Sequence, residues 1–235
     1  MHLSVIIPAY NEEKRIGRTL RAVNEYLRRR SYGYEIIVVS DGSRDGTVPL
    51  VKNLSEEIPH LQLIDNKENH GKGFVVRQGM LEAKGEIRLF MDADNSTSVD
   101  HIELMEPLFE QGYHVVIGTR DSRDNPRAQQ TVAQSFAKRL AGDIGNLVIQ
   151  ALVVPGIWDT QCGFKAVSAR AAQEIFSRMT TNRWAFDVEM LGLARKLDYK
   201  IGIIPVRWIN DAMSHVKASA YIRFFFEVIK IWWRL

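Results

Sequence analysis

Leu3-Ser4-Val5-Ile6-Ile7-Pro8-Ala9-Tyr10-Asn11-Glu12-Glu13 opens the chain, and Glu35-Ile36-Ile37-Val38-Val39-Ser40-Asp41-Gly42-Ser43 repeats its plan. Each is a short, unbroken apolar run that stops at a polar loop. A run with no polar alternation predicts a strand covered on both faces, which is the environment of a parallel sheet. Leu61–Asp65, Ile87–Met91, Val115–Gly118 and Lys200–Val206 predict four more strands. Helical periodicity fills the intervals Glu12–Arg30, Thr47–Glu57 and about Gly73–Lys84. Strand and helix in alternation give an α/β fold, with a mostly parallel central sheet flanked by helices.

In such sheets ligands bind at the carboxyl ends of the strands. The polar clusters fall there: Tyr10-Asn11-Glu12, Asp41-Gly42-Ser43, Asp92-Ala93-Asp94 and Thr119-Arg120 each follow a strand. Beyond Arg120 the pattern changes. Residues 121–130 are polar, contain Pro126 and predict a mobile loop. A long helical stretch then runs to about Val153, followed by two polar-aromatic strings, Trp158–Lys165 and Arg183–Glu189. No repeat or linker divides the chain. One domain, 1–235, is expected, with a donor-side half at 1–120, an acceptor-side half at 121–217 and an amphipathic terminal helix at 218–235.

Asp92 and Asp94, one residue apart at a strand end, place two carboxylates on one side of the chain. Oxygen donors of this kind suit Mg²⁺ or Mn²⁺, which retain waters and bind substrate phosphates. A turn whose aspartates cap the following helix uses the same residues, and the neighbouring polar loops favour the cation. Asp41 is placed either to accept a hydrogen bond from a base or ribose or to close an Asx-type turn. Tyr10 is placed to wall a base. Gly71-Lys72-Gly73 opens a helix whose amino end favours phosphate, although ordinary helix initiation uses the same residues.

Several classes are excluded. No GxGxxG follows the first strand, no GxxxxGK[ST] occurs, no serine sits in a GxSxG elbow, and the six histidines have no zinc spacing. A formal charge of +3 is too small to argue for nucleic acid. Cys162 stands alone, so no internal disulfide forms and a reducing, cytoplasmic setting is expected. The N-terminus lacks a basic leader, and no stretch reaches the ~20 apolar residues of a membrane span.

In order along the chain, Leu3–Glu13, Val39–Ser43, Asn69-His70-Gly71-Lys72-Gly73 and Asp92-Ala93-Asp94 resemble the family 2 glycosyltransferases. Asp159–Lys165 and Arg183–Glu189 are similar to the dolichyl-phosphate β-glucosyltransferase branch, kin of the dolichyl-phosphate mannose synthases. The resemblance implies a GT-A type nucleotide-diphospho-sugar transferase fold. It also implies inverting transfer of a hexose, glucose from UDP-glucose, to a polyprenyl phosphate. By the same match Pro8, Ala9, Tyr10, Glu12 and Asp41 hold the nucleoside, with Lys72 beside them. Asp92 and Asp94 serve ribose, diphosphate and metal, while Arg120 meets phosphate. Gln161 and Asp187 line the sugar and acceptor. Asp187 orients the sugar or assists the nucleophile, unless it is simply a carboxylate at a helix amino end. Lys217, in Ser214-His215-Val216-Lys217, loosely matches a Ser-Lys pair and joins Arg120 on the acceptor phosphate.

Two departures carry expectations of their own. Ser96 stands where the mannose synthases have Gln, which leaves a water on the metal. The N-terminal anchor of the eukaryotic enzymes is absent, which suggests a prokaryotic type. Rival readings are mannosyl transfer from GDP-mannose, transfer to a soluble glycan, and a non-catalytic nucleotide-sugar binder.

In the final helix, Tyr221, Phe224, Phe225, Val228, Ile229 and Trp232 recur on one face, widened by Ile222, Phe226 and Trp233. Arg223, Glu227, Lys230 and Arg234 recur opposite. The face is expected to dock on the cytoplasmic surface of a membrane, to pack on protein, or to be divided between the two.

Overall fold

A computed structural model describes residues 1–130, 136–209 and 218–235, without the side chains of 136–141, 143–144 and 218–222. A seven-stranded sheet is built from β1 (Leu3–Ala9), β2 (Tyr34–Asp41), β3 (Leu61–Asn66), β4 (Ile87–Met91), β5 (Val115–Thr119), β7 (Phe164–Ser168) and β8 (Ile201–Pro205). A minor pair joins β6 (Gln129–Gln130) to β9 (Arg207–Trp208). The order is β3-β2-β1-β4-β7-β5-β8. β1 pairs in parallel with β2 and β4, and β5 with β8.

Alternate residues of the strands feed two cores. Val5, Ile7, Ile36 and Val38 face α1 (Ile16–Leu27), α2 (Thr47–Glu57) and α4 (Ile102–Glu110). Ile6, Ile37, Val39 and Phe90 face α3 (Lys72–Glu82), α6 (Ala169–Phe176) and α7 (Phe186–Lys196). The apolar runs therefore have their cause, since every second residue is buried on each side of the sheet. α1 buries Ile16, Leu20, Val23 and Leu27, one stripe at helical spacing. Each such side chain stabilises the packing by about 1.5–3 kcal/mol.

One element departs from the expected pattern. β7, which begins at the end of the string read as polar-aromatic, is a buried strand inserted between β4 and β5 and antiparallel to both. Its register pairs Met91 with Phe164. An antiparallel strand presents its amino end where its parallel neighbours present their carboxyl ends. The insertion thus carries Asp159–Gly163 to the edge already holding Asp41, Asp92 and Asp94.

α5 (Phe136–Leu152) and α8 (Ala218–Arg234) complete the layer beside α7. α8 is divided. Val228 and Ile231 are buried and Phe224 and Leu235 pack on the core, whereas Phe225, Phe226, Trp232 and Trp233 are exposed. The core-facing stripe is therefore 224, 228, 231 and 235, so the face expected from sequence is divided, with Phe224 and Val228 on the core and Phe225 and Trp232 outside. No helix among the described residues is long and apolar enough to cross a membrane.

Candidate active site

The first two loops of the carboxyl edge hold each other. The Asn11 amide donates to Ser43 Oγ at 3.1 Å, the Arg44 amide to Asn11 Oδ1 at 2.9 Å, and the Glu12 amide to Thr47 Oγ1 at 2.7 Å. Asn11 reaches this position with φ 55°, a left-handed conformation that asparagine tolerates. Pro8 and Ala9 end β1 behind this clasp, and Tyr10 stands at its lip, 46% exposed.

Asp41 is buried, and its carboxylate is already engaged. It accepts from Asn69 Nδ2 at 2.9 Å, from the His70 amide at 2.7 Å and from the Gly71 amide at 2.9 Å. In this arrangement it braces the loop that delivers Lys72. Where this loop meets its neighbours there is no room for a side chain at two points. A Cβ on Gly42, at φ 71°, would meet the Glu68 backbone at 2.7 Å, and one on Gly71, at φ 104°, would meet Asn182 O at 2.4 Å.

Lys72, the first residue of α3, donates from Nζ to Asp92 Oδ1 at 2.6 Å and lies 5.7 Å from the Trp184 ring centroid. Burial works to lower its pKa, but Asp92 and Asp187 outweigh burial and hold it above the ordinary lysine value. Asp92 is seated against Gly163: a Cβ there would lie 1.9 Å from Asp92 Oδ2, and the Asp92 amide donates to Gly163 O at 3.1 Å. Asp94 accepts from the Ser96 amide at 2.9 Å, and its other oxygen lies 4.0 Å from Arg15. Arg15 forks onto Glu12 at 2.7 and 2.8 Å. Burial raises the Glu12 pKa, Arg15 opposes the shift, and the charges of Asp94 and Asp92 add to it.

These carboxylates fit a hard divalent ion. The donors are oxygens and both aspartate side chains are partly open, at 35% and 23% exposure. Among the described residues no three His, Cys, Asp or Glu side chains converge as a complete metal cage. An ion here would take its remaining ligands from water and substrate phosphate, the habit of Mg²⁺ and Mn²⁺. Asn95 Oδ1 and Thr160 Oγ1 are buried without a hydrogen-bond partner among the described residues, and they follow Asp94 and Asp159 in the chain. Orphaned oxygens of this kind mark positions that a ligand or water completes.

Arg120, which follows β5, is not a free cation. It grips Asp159 through Nε and Nη2, both at 2.8 Å, while its own amide donates to the same carboxylate at 2.8 Å. The guanidinium also lies 5.3 Å from the Trp208 ring centroid. Although burial opposes it, Arg120 holds the Asp159 carboxyl below the usual range. Asp124 ties the 121–130 loop inward, accepting from Thr119 Oγ1 and from the amides of Trp158 and Asp159 at 2.7–2.8 Å. Gln161 is exposed at this edge. Lys217 lies outside the described residues.

Asp187 occupies the first turn of α7, as a helix-end carboxylate would, and it also forms a buried ion pair with Lys165 at 2.6 Å. Lys165, wholly buried, donates as well to Cys162 O and sits over the Phe90 ring. Burial is the main influence on Asp187 and raises its pKa despite Lys165 and Lys72. Asp92–Lys72 and Asp187–Lys165 form two opposed pairs across the mouth of β7. Lys165 and Asp159 were not singled out from sequence. The available signal was a lysine inside the apolar strand Phe164–Ser168, since a buried charge requires a buried partner.

The chain is similar to a dolichyl-phosphate beta-glucosyltransferase of Trichomonas vaginalis, at 36% identity over 98% of this chain and 73% of that protein. One from Drosophila melanogaster is 35% identical over 100% and 75%, and one from Homo sapiens 33% over 88% and 67%. Among solved structures, glucosyl-3-phosphoglycerate synthase from Mycobacterium tuberculosis, in complex with Mn²⁺, UDP and glucosyl-3-phosphoglycerate, superposes with a TM-score of 0.65. That match has 18% identity over 98% of this chain and 78% of that one. TarS of S. aureus gives 0.61 at 19% identity, over 99% of this chain but only 64% of its own. Those likenesses establish a GT-A glycosyltransferase fold. The model of glycosyl transferase family 2 matches residues 4–176. That span takes in the loops after β1 and β2, the Asp pair and β7 alike, and the chain is a glycosyltransferase belonging to family 2.

Proposed function

We propose that the protein transfers glucose from UDP-glucose to a polyprenyl phosphate of dolichyl type, with inversion at the anomeric carbon. The observation that carries the reading is the pair of opposed carboxylate–lysine contacts, Asp92–Lys72 and Asp187–Lys165, where the donor loops meet the acceptor-side strings. The sequence relatives named above, all dolichyl-phosphate beta-glucosyltransferases, support glucose as the sugar and dolichyl phosphate as the acceptor.

A lipid phosphate is ionised at neutral pH and attacks without a strong base, so catalysis rests on positioning and charge neutralisation. Pro8, Ala9, Tyr10 and Glu12 line the nucleoside, and Asp41 fixes the loop beneath it. Asp92 and Asp94 would hold Mg²⁺ or Mn²⁺, which supplies neutralisation of the departing diphosphate. Lys72, charged and next to Asp92, adds a second positive group on the same phosphates. Asp187 and Gln161 orient the sugar. Arg120 presents its outer edge to the acceptor phosphate while Asp159 fixes its plane, and Lys217 is assigned to the same phosphate by family match.

The exposed Phe225, Phe226, Trp232 and Trp233 dock α8 on the cytoplasmic face of the membrane that carries the acceptor. The test is a panel of radiolabelled nucleotide sugars with polyprenyl phosphate, scored for label entering the organic phase. UDP-glucose in Mg²⁺ or Mn²⁺ is the expected donor, with label abolished by EDTA and by Asp94→Ala. Preferred use of GDP-mannose, or full transfer in excess chelator, overturns the assignment.

A further inference from the structure

α8 meets the rest of the molecule along a second line besides its core stripe. Glu227 accepts from the Ala185 amide at 3.4 Å. Arg234 donates to Thr180 Oγ1 and to Thr181 Oγ1, and lies 3.6 Å from Glu189. Glu189 in turn closes the 180–181 turn by accepting the Thr181 amide at 2.7 Å. Between this line and the outer surface of the helix lies an open groove of about 740 Å³, whose walls include Thr180, Arg183, Ile229, Lys230, Trp233 and Arg234.

The charge in the groove is unbalanced. Glu227 is the one acid in the lining and is already used by a backbone amide. Arg183 and Lys230 have no carboxylate partner among the described residues. At 100° per residue, Arg223, Lys230 and Arg234 form a basic edge about a third of a turn from the centre of the exposed aromatic arc. With that arc at the level of the lipid headgroups, the basic edge lies beside the lipid phosphates. Its walls match a phospholipid in kind, with cations for a phosphate and Ile229 and the exposed Trp233 ring for the glycerol and acyl root.

We propose that this groove binds the headgroup of an anionic phospholipid, separately from the acceptor, and so gives the protein a preference for negatively charged bilayers. The inference rests on the docking of α8 proposed above. Arg183 and Lys230 take the phosphate, and Trp233 lies along the lipid.

The test is flotation of the full chain with vesicles of phosphatidylcholine alone or with added phosphatidylglycerol. The unmodified protein should prefer the anionic vesicles. Arg183→Gln with Lys230→Gln should lose on the order of 30-fold in affinity for them, with binding to phosphatidylcholine unchanged. Removing the same charge from the far side, Arg28→Gln with Lys52→Gln, should cost less than about threefold. Lys230→Gln alone, an exposed helix position, serves if the double variant fails to fold. Equal losses in the groove and control variants, or no anionic preference, overturn the groove. If the unmodified protein floats with neither vesicle, both groove and α8 docking fail. Transfer of label to a short, water-soluble polyprenyl phosphate judges the chemistry independently.

Discussion

Gly163→Ala tests the site at its most crowded point. The added methyl would begin 1.9 Å from Asp92 Oδ2 and 2.3 Å from its Cγ, whereas ordinary contact starts at 3.4 Å. The carboxylate must therefore retreat by about 1.5 Å. β7 cannot retreat instead, because Phe164 is in register with Met91 and fully buried. The displaced Asp92 loses its 2.6 Å contact with Lys72 and its alignment with Asp94. A misplacement of about 1 Å in a catalytic constellation costs about 10²-fold, and local overpacking costs about 1–3 kcal/mol of stability. Initial rates of lipid-phosphate glucosylation at saturating donor, with urea unfolding alongside, measure both. Gly142→Ala is the control, since a methyl there meets nothing within 4 Å among the described residues. A Gly163→Ala enzyme within about threefold of the unmodified rate would refute the placement of Asp92 at the reacting diphosphate, because the 1.5 Å shift cannot be harmless there.

Two further outcomes follow from the same geometry. Arg120→Ala leaves Asp159 buried and unpaired, which should cost about 3–5 kcal/mol in urea unfolding, and adding Asp159→Asn should recover part of it; an Arg120→Ala protein of unchanged stability refutes the pair. Because Asp159 has a depressed pKa when folded, this contribution is present above its unfolded value of about 4 and is lost as pH falls through the folded value. Cys162 is fully buried and its thiol is pushed up to about 12, chiefly by burial. It should resist maleimide in the folded protein at neutral pH and react fully in urea; rapid labelling of the folded chain refutes its enclosure.

Much of the donor side was legible in the sequence, for a physical reason. Buried parallel strands are written as apolar runs, so β1, β2 and β4 announce themselves and their polar stops mark the carboxyl edge. β7 was not legible, because Phe164-Lys165-Ala166 breaks the apolar run and strand direction has no local signature. Asp41 could be placed at the edge, but not its commitment to the Asn69–Gly71 loop, which depends on two segments meeting in space. In α8 the apolar residues cover more than half the circumference. Periodicity found the helix but left open which arc the core would claim.

The insertion of β7 has a consequence for how this protein can be divided or rebuilt. The proposed division assigns donor duties to residues 1–120 and acceptor duties to 121–217, yet the sheet interleaves the two stretches, with β7 lying between β4 and β5. A cut after residue 120 would strip β5 of both its partners at once, since β7 and β8 come from the later half. Acceptor preference therefore cannot be exchanged between relatives as a cassette. Any graft that carries the Asp159–Gly163 loop must also reproduce the edges of two strands belonging to its host.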